Sequence, residues 1–398
     1  LFDSGKEASV TTNAVPIAGT AVRTDERTGS MGRVVAVDAL RGTALVLMAL
    51  THAAFFIGVG MQAESYGGQP VFLQSLPYVA SGLLTTLASP IFFFLAGVSL
   101  ALYEAGRRRK QASDWEISRF MLVRAGIVLA LDLTVCNWFW MGKTPYIHVL
   151  TTMALAMMAL AGLRRLPTRM IGAIAVVGLL GYQGVLLALA PELQAGAPQS
   201  LIQALFLTYS YETQPALGFP LLGWGPVMWI GFVIGRAMER PVLREPRTWA
   251  LIGGGLLLLW LVLRLVGGYG DLGRFDPAQG WMHFFVMSKA PPSLSYLAFK
   301  IGIAALLIAF LYARPALIAA GPLQWLAAIG QTSLFFYVAH IIVYHLLAQI
   351  FLALSLPDLP GIVYGYAIWL AGMALLVPMA YAYRALRKRH PQSVLRYL

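Results

Sequence analysis

The chain has 398 residues, 59% of them hydrophobic and only 12% charged, with a mean hydropathy of +0.71. That balance excludes a soluble globular protein, in which about 25% of residues are charged. The formal net charge of +12 invites a nucleic-acid reading only until the charges are located, because basic residues in short loops between spans set membrane topology instead.

Residues 1–30 are rich in Thr, Ala, Gly and charge, show no hydrophobic period and hold no apolar core of signal-peptide length. They are expected to form a disordered cytoplasmic tail, followed by one transmembrane domain over 31–390 and a short C-terminal tail over 391–398. Long apolar segments run over 34–60, 76–103, 118–140, 146–163, 169–190, 219–238, 248–267, 294–313, 326–354 and 361–384. Each approaches or exceeds the ~17–25 residues a spanning helix needs. The expected fold is therefore an all-α polytopic membrane protein of about ten transmembrane helices. A shorter apolar piece at 199–209 reads as interfacial or re-entrant.

Basic residues test that count. Arg107-Arg108-Arg109-Lys110, the Arg164/Arg165/Arg169 group, the Arg236–Arg247 group, Arg314 and the Arg384–Arg389 cluster all fall on one side of a ten-span chain, with the N-terminus. The opposite loops carry only Lys143, Arg274 and Lys289. Both termini are thus expected in the cytoplasm. An eleventh span would put the later basic loops outside.

The first apolar segment carries the most chemistry. Asp38 and Arg41 stand three apart, on one helical face, and can neutralise each other. His52 follows fourteen residues after Asp38, roughly 21 Å along a helix. Ionisable groups inside a membrane are costly and mark function. His52 can take a proton from a hydroxyl or amine nucleophile, or carry an acyl group, and is the leading catalytic residue. Arg41 with Asp38 can hold a phosphate or carboxylate, or can be a structural ion pair. The Arg107–Lys110 run is a topology signal with a secondary attraction for an anionic cofactor.

Further along, Cys136 stands alone, which excludes an intrachain disulfide framework and any Cys-rich metal site, and it reads as a small buried hydrophobe. The long loops 61–75, 191–218 and 268–293 hold Glu64, Glu192, Glu212, Asp271 and Asp276 among Gly, Pro and aromatics, as functional loops do. Lys289, entering a span in Ser288-Lys289-Ala-Pro291-Pro292-Ser293, is either a substrate-facing cation or a snorkelling anchor. His340 and His345 lie five apart without a nearby carboxylate, which does not make a metal site, so a structural or lining role is expected of His340. Gly253-Gly-Gly255 reads as close helix packing. No soluble catalytic or nucleotide motif occurs, and no metal is expected.

These residues carry a resemblance. Asp38-Ala-Leu-Arg41-Gly42 through Met48 to His52, then Ser89-Pro90-Ile-Phe-Phe-Phe-Leu-Ala-Gly97, resemble the heparan-α-glucosaminide N-acetyltransferase family and its bacterial relatives. So do Pro220-Leu-Leu-Gly-Trp224 through Arg236, the Ser288–Leu294 stretch, and Phe335-Phe-Tyr337-Val-Ala-His340. The resemblance covers residues 33 to about 350. Spacing from Arg41 to His52 is also similar to that of O-antigen-type membrane acyltransferases, whose histidine is taken as catalytic. Where the lysosomal family enzyme has its histidine in the loop after the first span, an asparagine stands at the position of His52. Residues 58–75 here contain no histidine, so His52 would take that role.

The resemblance implies transfer of an acyl group, most simply acetyl, from cytoplasmic acyl-CoA to a sugar amine or hydroxyl on the far side of a cell membrane. His52 and Asp38 are expected to be catalytic, Arg41 and Arg124 to bind the cofactor, and Lys289, Trp224 and His340 to bind the acceptor. His340, Glu64 or Asp276 would assist His52, since Asp38 is too far along the same helix. Lipid, acyl-CoA and a glycan or other small acceptor are the expected partners, without nucleic acid, and the family suggests a homodimer. The rival class is a proton-coupled transporter or flippase of a sugar, lipid or acyl conjugate, using the same charges as a gate.

Overall fold

The computed structural model describes residues 20–397 other than 62, 70, 72, 320, 355, 356, 358 and 391, with side chains from 35 onward apart from those of 319 and 396. The chain is mostly helical, at 74%. In order, α1 (Thr20–Phe56) leads through strand β1 (Glu64–Tyr66) to α2 (Leu76–Thr85) and α3 (Ala88–Arg108). Next come α4 (Asp114–Leu131), one π-helical turn at Asp132–Cys136, α5 (Asn137–Met141), β2 (Tyr146–Ile147) and α6 (Val149–Leu163). Then follow α7 (Thr168–Gln194), α8 (Leu201–Phe206), β3 (Ala216–Leu217), α9 (Leu221–Ala237) and α10 (Pro246–Val266). Strand β4 (Met287–Ala290) precedes α11 (Leu294–Ala313), α12 (Ala316–Ala319), α13 (Gln324–Gln331), α14 (Ser333–Leu352) and α15 (Gly361–Arg389). Residues 1–19 of the expected tail lie outside the described residues, and the chain is helical from Thr20.

Among the described residues, eight helical stretches are long and apolar enough to cross a membrane. The two remaining expected spans, α6 and α9, are 15 and 17 residues long and fall short of that length. Both pack inside the bundle, α6 against α4 and α9 and α9 against α3 and α7. A helix surrounded by protein is matched to its neighbours rather than to lipid. The piece at 199–209 yields only α8, six residues closed by a Ser200/Gln203 capping box.

Helix α1 is the central strut, in contact with α13, α14, α15, α3 and α11. Its charges explain the position, since each needs protein around it. The approach to α13 is backbone against backbone. A side chain on Gly42 would strike the carbonyl of Leu326, and one on Gly330 the carbonyl of Asp38. Gly253 likewise meets the backbone of Gly302 between α10 and α11, and Cys136 is buried.

Two expected spans are broken where hydropathy runs unbroken. Between α2 and α3, Lys300 on α11 donates to Leu83 O at 2.8 Å and to Thr86 Oγ1 at 2.6 Å, and Tyr296 OH donates to Thr86 O at 2.9 Å. The buried ammonium thus satisfies the carbonyl end of α2, the end that favours a cation. Between α13 and α14, Thr332 turns its hydroxyl back onto Ala328 O (3.2 Å) and Ile329 O (3.1 Å). Composition registers neither partner, the first coming from a distant helix and the second from the preceding turn.

Beyond the His52 end of α1, β1 pairs in parallel with β4, and β2 with β3. These short pairings tie loop 61–75 to the start of α11 and the start of α6 to that of α9.

Candidate functional site

Asp38 and Arg41 form the ion pair that their spacing predicts, 2.9 Å between Arg41 and Asp38 Oδ1. Arg41 also donates to Gly330 O at 3.2 Å and to Ser99 Oγ, and Gln331 bonds Asp38. Helices α1, α3 and α13 are therefore held by one guanidinium. The pair lies in the wall of a cavity of about 750 Å³. Arg107, Arg119, Arg124 and Arg387 line the same cavity against Asp38 and Glu116 as its only described acids. The Arg107 Nε is buried without a hydrogen-bond partner. Stacked rings of Tyr103, Phe120 and Tyr397 stand in this lining, with centroids 3.9 and 5.1 Å apart in sequence. The arrangement suits a large polyanion carrying an aromatic base.

Tyr337 of α14 also lines the cavity, and its hydroxyl lies 2.8 Å from Nδ1 of His148, the residue that begins α6. Three residues further along α14, His340 is fully buried and its Nε2 lies 2.7 Å from Nδ1 of His52. The other nitrogen, Nδ1 of His340, lies 3.2 Å from Phe336 O. A carbonyl accepts only, so His340 Nδ1 carries the proton and its Nε2 accepts from His52 Nδ1–H. That tautomer leaves a lone pair on Nε2 of His52. Trp140 packs against both histidine groups, 4.5 Å from the ring of His52 and 5.0 Å from that of His148.

The start of α6 is anchored from the π-helical turn. Asp132 Oδ2 accepts from Thr151 N at 2.8 Å and Thr151 Oγ1 at 2.7 Å, and the carboxylate also bonds the His148 backbone. A carboxylate at a helix N-terminus is favourably placed.

Towards the strands, Lys289 on β4 pairs with Glu64 on β1 at 3.0 Å. Burial would lower the Lys289 ammonium, but the Glu64 carboxylate and the phenols of Tyr296 and Tyr146 outweigh it and hold the pKa above its ordinary value. Glu64 Oε2 and Ser65 Oγ are buried without a hydrogen-bond partner. Tyr66, Tyr209 and Tyr211 cluster beside them, and Tyr146 connects Tyr211 to His148 through ring contacts of 6.0 and 5.1 Å.

The structure thus brings Asp38, Arg41 and Arg124 together at one cavity, joins His52 to His340, and sets Lys289 within electrostatic reach of His52. Asp38 is not brought to His52, from which α1 separates it. Trp224 is fully buried among Phe93, Phe219 and Tyr296, one ring removed from His148. Asp276 caps its own loop turn at Ala278 N, and His345 sits between Phe56 and Phe139. His148, Tyr337 and Trp140 were not singled out from the sequence. His148 meets the same criterion as His52, a titratable group at the edge of an apolar segment, and that signal would have found it. A separate buried network, in which Glu104 holds Arg164, Arg236 and Arg108 at 2.8–3.0 Å, joins α3 to the starts of α4 and α7 and the end of α9.

The family model described as heparan-alpha-glucosaminide N-acetyltransferase, catalytic, matches residues 33–263. That range holds Asp38, Arg41, His52, Arg124, His148 and Trp224, while Lys289, Tyr337 and His340 lie beyond it. No curated protein matches the chain.

Proposed function

The chain belongs to the heparan-alpha-glucosaminide N-acetyltransferase catalytic family, and on that premise we propose that it moves an acetyl group from acetyl-CoA at its basic face to a sugar amine or hydroxyl at the opposite face. In this reading α6 and α9 cross with the eight longer spans, both termini are cytoplasmic, and the arginine-lined cavity opens to the cytoplasm. The bias of basic residues towards one set of loops supports that orientation.

One observation carries the proposal: the cavity that collects five arginines is also lined by Tyr337, which shares its helix with the partner of His52. The phosphates of CoA would lie among Arg41, Arg107, Arg119, Arg124 and Arg387, and the adenine on the Phe120 and Tyr397 rings. A cavity of this volume is of the size that encloses cofactors, ~300–1,000 Å³. The thioester would then reach the histidine pair from one side. The acceptor would reach it from the other, past Lys289, the tyrosines, and Glu64 and Ser65, whose unpartnered Oε2 and Oγ suit a hydroxylated ligand.

His52 is the base in this mechanism. His340 fixes its tautomer, and the lone pair on Nε2 accepts the proton that the attacking nitrogen or oxygen gives up. Asp38 does no proton chemistry here. It neutralises and aims Arg41, and itself stands about 21 Å from His52 along α1.

The test is ligand-linked stability of the detergent-purified protein. Acetyl-CoA at a hundred times its Kd should stabilise the fold by about 2.7 kcal/mol and raise the unfolding midpoint. The labelled acetyl group should then pass from acetyl-CoA to glucosamine. No shift with CoA or acetyl-CoA would overturn the donor assignment and favour a proton-coupled carrier.

A further inference from the structure

We propose that Tyr337 is a catalytic residue of this transfer, its hydroxyl donating a hydrogen bond to the thioester carbonyl oxygen and stabilising the oxyanion that forms there. The inference rests on the acetyl-CoA reading above and names a group within that site.

Placement supports it first. Tyr337 belongs both to the cavity lining and to the histidine cluster, with its ring 5.2 Å from that of His340. A donor held in the cavity is therefore beside this phenol, which lies one helical turn from the partner of the base. Tyr337 is 4% exposed, so its hydroxyl works where water is scarce and a hydrogen bond to developing charge is worth most.

Chemistry supports it second. The tyrosine oxygen lies 2.8 Å from His148 Nδ1. With the proton on Nδ1, the imidazole donates to the phenol oxygen and leaves the phenol proton free to turn into the cavity. His148 is then a positioning residue, held in turn by the Asp132 carboxylate at the start of α6. The same cavity wall includes Val149, Leu150, Met153 and Leu334, whose side chains offer no donor.

The step balances. The acceptor nitrogen attacks the thioester carbon, a C–N bond forms, and the carbonyl π electrons move onto the oxygen that Tyr337 bonds. The proton released by nitrogen goes to His52 Nε2. Collapse restores the C=O bond and breaks C–S, and the sulfur leaves with the electron pair and takes the proton from His52 as CoA thiol. Tyr337 gives up no proton at any point.

The experiment compares wild type with Tyr337→Phe in CoA binding, transfer kinetics and the infrared carbonyl stretch of bound ¹³C-labelled acetyl-CoA. Tyr337→Phe should lower kcat about 10²–10³-fold, with donor KM and CoA affinity unchanged, as loss of an oxyanion donor does. The carbonyl stretch should move to higher frequency. His148→Ala should give part of that loss, and His148→Asn, which keeps a donor near the Nδ1 position, should restore most of it. If Tyr337→Phe fails to fold, 3-fluorotyrosine at the same position keeps the shape and, through its more acidic hydroxyl, should lower the stretch. Wild-type kcat in a folded Tyr337→Phe protein, or a carbonyl frequency indifferent to either change, would overturn the role of Tyr337 alone. Failure of the wild type to bind CoA would overturn the donor reading and this one with it.

Discussion

Nδ1 of His52 and Nε2 of His340 lie 2.7 Å apart although 288 residues separate them in the chain. The bond joins the far end of α1 to the middle of α14. It also sets a direction, because the carbonyl of Phe336 takes the other proton of His340. Histidine thus orients histidine, where a carboxylate commonly does so.

His52→Ala should abolish acetyl transfer and leave CoA binding intact. His340→Ala should cost less, on the order of 10²-fold in kcat, because His52 keeps its lone pair and loses only its fixed tautomer. Turnover by each variant, beside its thermal shift with CoA, decides this. Near wild-type turnover of a folded His52→Ala protein would remove the residue from the chemistry.

The cavity arginines should act on donor affinity. Arg124→Ala and Arg387→Ala should each weaken CoA binding by about ten- to a hundredfold, the worth of one charge-assisted hydrogen bond at ~1.5–3 kcal/mol. Binding should also become less sensitive to salt. Arg109→Ala is the control: its guanidinium is exposed and pairs with Glu239, away from the cavity. Titration calorimetry at two ionic strengths would show whether the two classes separate.

Glu104 should matter for folding instead. Its carboxylate is 2% exposed and balances Arg164, whose side chain is wholly buried, together with Arg236. Glu104→Gln removes the buried counter-charge of both guanidiniums, leaving Arg164 only the exposed Asp114 at 3.0 Å, and should destabilise the protein by about 3–5 kcal/mol. An unfolding midpoint within a degree or two of wild type would refute the account.

The loop before β4 should loosen in acid. Burial, then the neighbouring Arg264, holds the His283 pKa below its ordinary value of 6.5. Its neutral Nδ1 accepts from the Asp276 backbone at 3.0 Å. Between that lowered value and 6.5 the unfolded loop binds more protons, so the contribution of His283 is complete above 6.5 and is lost as pH falls towards the folded value. The protection factor of the Asp276 amide, its exchange rate corrected for the intrinsic pH dependence, should fall between pH 7 and pH 5, and His283→Gln should flatten the change.

Much of this was legible in the sequence, for stated reasons. Asp38 and Arg41 are neighbours on one helix, so their spacing alone foretold the bond. His52 and His340 each drew notice, yet nothing in either segment says that they touch, because long-range contact is fixed by how α14 crosses α1. Lys300 was invisible as the cap of α2, since a lysine inside an apolar run does not announce which carbonyls it will serve. Trp224 stood out by its motif and turned out to be packed in the core, where a large ring most often goes. The breaks at Thr86 and Thr332 escaped because apolar composition runs straight through them.

The interlocked backbones at Gly42 and Gly330 have a consequence for the donor. With α1 unable to slide against α13, the interval from Arg41 to His52 is a rigid ruler of eleven residues, or roughly 16 Å. A thioester whose phosphate and acyl ends are spaced to that ruler reaches the base, and one with a truncated arm binds at the arginines and stops short. Inserting a single residue between them would lengthen the ruler by about 1.5 Å and swing His52 about 100° away from its partner.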